Sequence, residues 1–95
     1  MSEEEIKQIL KEINWDTSAT VEEIYSVFKG DVKKIGGIDK NWIYHKVLNG
    51  YSWYKVINVF PKEELPQILS EEIIQRLFPR PLRDKYRHVR NALYE

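Results

Sequence analysis

One spacing recurs along this chain, and it constrains the fold more than any other feature. Ile6, Ile9, Leu10 and Ile13 stand at i, i+3, i+4 and i+7, which lines four apolar side chains along one stripe of a helix. Val21, Ile24, Tyr25 and Phe28 repeat that spacing, as do Trp53, Val56, Ile57 and Phe60. Leu82, Tyr86, Val89 and Leu93 keep the same period at i, i+4, i+7 and i+11. Four such segments in 95 residues, with little clean alternation between them, predict an all-α fold. We expect a compact single-domain bundle of about six short helices covering residues 1–95.

The punctuation agrees with the period. Ser2-Glu3-Glu4-Glu5 and Thr20-Val21-Glu22-Glu23 both read as capping boxes, in which hydroxyl and carboxylate each satisfy an orphan amide. Ser70-Glu71-Glu72 lacks the box but sets two carboxylates in a first turn, where the helix dipole favours them. Gly30 and Gly50 suit positions just past helix C-termini, and Pro61 and Pro81 suit first turns. These signals place helices at 3–13, 20–29, 39–49, 52–60, 70–78 and 81–94, with a shorter turn between Lys62 and Leu69 broken by Pro66. Asn49-Gly50 between two aromatic runs is also a hairpin signal, so residues 42–59 read as a helix pair or a hairpin. The poor alternation of Tyr44-His45-Lys46 favours helices. The expected core is Ile6, Leu10, Ile24, Phe28, Val47, Trp53, Ile57, Ile73, Leu77, Tyr86 and Val89.

The formal net charge is zero, but it is polarised. Residues 1–30 hold seven acids against three lysines, and the excess of base collects near the other end. Arg83, Arg87 and Arg90 share one face of the last predicted helix with Tyr94, and Arg76 and Arg80 extend the strip upstream. Guanidinium groups so spaced suit phosphates or acidic side chains. The bland reading is a solvated face paired with the acidic first helix. A near-neutral pI of 6.7 counts against a dedicated nucleic-acid binder.

Aromatic residues cluster between Trp42 and Phe60. Trp53 and Phe60 hold stripe positions and are expected in the core, whereas Tyr44, Tyr51 and Tyr54 suit half-buried or interface positions. Trp15, in the polar turn Asn14-Trp15-Asp16-Thr17, is expected to fold back onto the core; exposed, it would be an interface anchor.

Catalytic chemistry finds no frame. Cysteine is absent, which excludes disulfides and thiolate metal sites. His88 stands four residues after Asp84, close enough to pair on a helix, but no third ligand or triad partner accompanies it. Lys33-Lys34 precede Gly36-Gly37 without the frame of a phosphate loop, so that segment reads as a turn. We therefore expect a non-enzymatic interaction module with no cofactor and no metal, cytoplasmic and without membrane insertion. Its expected contact surface is Arg76, Arg80, Arg83, Arg87, Arg90, Tyr94, Tyr44 and Tyr54. A protein is the expected partner, weak head-to-tail self-association is a second mode, and nucleic acid bound by 76–90 is the alternative.

Overall fold

The structure is a computed structural model that describes residues 1–94. Helices α1 (Glu3–Ile13), α2 (Val21–Lys29), α3 (Lys40–Gly50) and α4 (Trp53–Val59) follow one another through short connections. A 3₁₀ turn (Lys62–Glu64) leads into the single turns α5 (Leu65–Ile68) and α6 (Glu71–Ile74), and α7 (Arg80–Tyr94) closes the chain. The fold is all-α, as the period predicts, and residues 42–59 form the helix pair rather than the hairpin. Among the described residues, no helix is long and apolar enough to cross a membrane.

Both predicted boxes close. Ser2 Oγ accepts from the Glu5 amide while Glu5 Oε1 accepts from the Ser2 amide, each at 3.2 Å. Thr20 and Glu23 make the same exchange at 3.1 and 2.8 Å. Gly30 ends α2 at φ +85°, a left-handed position that a side chain would strain. Gly50 is not its counterpart. It is the last residue of α3, and the chain turns through extended Tyr51 into Ser52, which caps α4. Pro66 does not break the short turn either; it sits in the first turn of α5, where its missing N–H deprives no partner. The predicted 70–78 helix stops after one turn, at Ile74.

α3 packs against α1, α2, α4 and α6 and holds the middle of the fold. Its Ile43, Tyr44, Val47 and Leu48 are all buried. Around them lie Ile9, Leu10 and Ile13 of α1, Ile24 and Val27 of α2, and Ile68, Leu69, Ile73, Ile74 and Leu77 from the short turns. Of the expected core, Leu10, Ile24, Val47, Ile73, Leu77 and Tyr86 are buried, and Ile6, Phe28, Trp53 and Val89 pack partly covered against it. Ile57 does not belong there. It is 41% exposed, because α4 turns Val56, Val59 and Phe60 inward and leaves position 57 about 100° from their centre.

Candidate functional site

The expected contact surface joins Tyr44 and Tyr54 to the arginine strip that ends at Tyr94. The lower half of that strip is already occupied. Arg87 grips the Glu71 carboxylate through Nε at 3.1 Å and Nη2 at 2.5 Å, and Arg90 reaches the second oxygen at 3.0 Å. Those hydrogen bonds, Arg87 first, hold Glu71 below its ordinary pKa. Arg83 is half-buried and donates to the Leu77 carbonyl at 2.9 Å. The internal partner of the strip is thus α6, and not the acidic α1, whose Glu3 pairs with Lys7 and whose Glu12 accepts from Tyr51. Asp84 contacts Arg87 at 3.6 Å instead of pairing with His88. Arg76 and Arg80 are exposed and have no carboxylate within salt-bridge distance among the described residues.

The tyrosines divide as well. Tyr44 is only 1% exposed and leaves the contact surface: its ring packs edge-on to Phe60 and its hydroxyl donates to Glu64 at 2.5 Å. The cause is its place on the inner face of α3, one position after Ile43 and three before Val47. Burial, reinforced by the Glu64 carboxylate, raises its phenol well above the ordinary range. Tyr51 is half-buried and pushed up to about 12, by burial first and Glu12 second. Tyr54 and Tyr94 are exposed, as expected, on α4 and at the end of α7.

Two aromatic side chains more prominent than most of these were misplaced or missed. Trp15 does not fold back; it is 77% exposed. Phe78 is 79% exposed. A signal for Phe78 existed in Phe78-Pro79-Arg80-Pro81, since a residue ahead of proline is steered away from helix and off any buried stripe.

The outer face of α3 connects the two. Trp42, His45, Lys46 and Asn49 stand at i, i+3, i+4 and i+7, opposite the buried stripe of the same helix. On one border, Lys46 binds Asp16 at 3.0 Å and places its ammonium 4.1 Å from the centre of the Trp15 ring. The turn carrying Trp15 is pinned further by Asn14, which donates to the Ala19 carbonyl at 2.8 Å. On the other border, the Phe78 amide donates to Asn49 Oδ1 at 3.2 Å, and His45 Nε2 lies 2.8 Å from the Arg76 carbonyl. Shallow depressions of about 410 and 490 Å³ lie beside this stripe, and Trp42 lines both.

The face holds no nucleophile–base pair, and no group of three or more metal-ligating side chains occurs among the described residues. No family model, curated protein or solved structure matches this chain.

Proposed function

We propose that this domain is a non-catalytic protein-binding module and that its contact surface is the outer face of α3 with Trp15 and Phe78 on its borders. The observation that carries this reading is that two large rings, each more than three-quarters exposed, border the same outer face of α3 on backbone that hydrogen bonds hold in place, whereas Tyr54, as exposed, stands on α4. Leaving such rings mostly in water forgoes the burial that folding rewards, whereas rigid aromatic anchors concentrate binding energy at protein interfaces. Arg76 and Arg80, beside Phe78 in the chain and free of internal carboxylates among the described residues, offer charge to a partner's rim. The nucleic-acid alternative has less support, because Arg87 and Arg90 are already spent on Glu71. We place the module in the cytoplasm on its cysteine-free composition.

The test is affinity capture from cell extract, followed by titration of the captured protein. Trp15→Ala or Phe78→Ala is expected to weaken binding about thirtyfold each, the loss of about 2 kcal/mol typical of an anchor. Tyr54→Ala, on α4, serves as the control and should bind unchanged, with all three variants melting like the parent. Binding insensitive to both anchor substitutions would move the interface elsewhere. Salt-sensitive oligonucleotide binding lost in an Arg76→Gln, Arg80→Gln variant would restore the nucleic-acid reading.

A further inference from the structure

A second depression, an open trough of about 650 Å³, lies where the end of α2, the connection after it and the start of α3 meet, and it adjoins the smaller depression beside Trp42 through Asp39 and Asn41. That volume is in the range of small-molecule sites. Val32, 39% exposed, contributes apolar lining, and Lys33, Lys34 and Lys40 line the trough as well, whereas Val27 lies buried beneath it. The shape follows from local structure. Left-handed Gly30 ends α2, and the Ile35 and Ile38 backbones bond each other at 2.9 Å in both directions, closing the Gly36-Gly37 turn. Lys33 and Lys34 are thereby held on the short segment between Gly30 and that turn.

The balance of polar groups around the trough is one-sided. Asp31 is engaged by Lys29 at 3.1 Å, and Asp39 accepts the Trp42 amide at 2.9 Å as the cap of α3. Asn41 Oδ1 accepts from Gln67 at 3.1 Å. Two of the three charged donors are not similarly satisfied. Lys33 and Lys34 are exposed and have no carboxylate within 4.0 Å among the described residues. Lys40 lies near Gly30 and is itself paired with Glu64 at 3.5 Å. A wall whose carboxylates are engaged while the Lys33 and Lys34 ammonium groups stay free selects a ligand that brings negative charge of its own.

We propose that this trough binds a small phosphate-bearing molecule, its phosphate at Lys33 and Lys34 with Lys40 at the edge, and an apolar portion against Val32. Lysine ammoniums act as mobile point charges and suit a dianionic phosphate without requiring the planar fork of arginine. Val32 gives the body of the ligand a reason to stay that bare phosphate lacks.

The experiment is an amide chemical-shift titration of the whole chain with phenyl phosphate and, separately, with inorganic phosphate, at low salt. Saturable shifts confined to Val27–Asn41, with phenyl phosphate the tighter ligand, are expected. The Lys33→Gln, Lys34→Gln variant alters only exposed side chains, and it should lower the affinity about tenfold. An Arg76→Gln, Arg80→Gln variant should bind like the parent. The proposal is overturned if no saturable shift occurs at millimolar ligand, if the shifts centre on Arg76–Arg90, or if the lysine variant binds unchanged. None of these results bears on capture through Trp15 and Phe78, so either proposal can fail alone.

Discussion

The first and last helices are built on the same apolar period, yet they are held in different ways. α1 buries Ile9, Leu10 and Ile13 within eleven residues, and its amino end is closed by the Ser2–Glu5 box. α7 is fifteen residues long and buries one, Tyr86, while Leu82 and Val89 are only partly covered. Leu93 continues the stripe but is 51% exposed. α7 is also tied to α6 by the two arginines that close on Glu71. A helical stripe states which face turns inward; the neighbouring elements decide how much of it is covered. α1 lies against both α2 and α3, whereas α7 rests mainly on the single turn of α6.

The sharpest way to break this comparison is to delete the same atoms from both helices. Leu10→Ala removes a fully buried side chain, and we expect a loss of about 2–5 kcal/mol, the transfer term plus that of the cavity left behind. Leu93→Ala, on the equivalent stripe of α7, should change stability by no more than about 0.5 kcal/mol. Urea unfolding of both variants checks this through the midpoints, provided the slopes stay equal. Comparable losses would mean that the end of α7 is buried in solution, by this chain or by a second copy.

A smaller effect sharpens the electrostatic half of the contrast. Glu71→Gln leaves the shape of α6 but removes the charge that draws Arg87 and Arg90 together. The three side chains are 32–50% exposed, so solvent screens the network, and the expected cost near neutral pH is under about 1 kcal/mol. It should depend on pH in a defined direction. The folded protein holds the Glu71 pKa below its ordinary 4.5, so the unfolded chain binds this proton more readily. The contribution is therefore complete above pH 4.5 and disappears as pH falls through the lowered value. Parent and variant should converge in stability at low pH and, less completely, at high salt. A difference independent of both would assign the role of Glu71 to packing or to the amino end of α6.

What was legible in the sequence followed the range of the interaction concerned. Ser2–Glu5, Thr20–Glu23 and Gly30 act within a few residues, and their chemistry can be read from spacing alone. Pro66 and Gly50 are equally local, but each had two permissible roles. Pro66 either ends a turn or starts one, and the choice fell to the burial of Ile68 and Leu69 just beyond it. Tyr44 was misread because a tyrosine is amphipathic, and only tertiary structure brings Glu64 to its hydroxyl from twenty residues away. For Trp15 the sequence held no sign of Lys46, which holds the neighbouring Asp16 and covers the ring face from another helix. The arginines were recognised as a strip, but charge balance pointed to α1, whereas proximity after folding selected Glu71.

The least change tests the one buried group of α7. Tyr86 is fully enclosed, its ring 6.0 Å from that of Trp53, and its hydroxyl has no hydrogen-bond partner among the described residues. Burial alone raises its pKa, since an ionised oxygen there would lose its water. A buried hydroxyl without a partner carries its desolvation cost uncompensated, while the ring supplies the packing. Tyr86→Phe keeps the ring and removes the oxygen, so it should be neutral or stabilise the fold by up to about 1 kcal/mol. A loss of that size instead would show that the hydroxyl is hydrogen-bonded in solution. The hold on α7 would then include a polar anchor in addition to the Glu71 clamp, and its contrast with α1 would narrow.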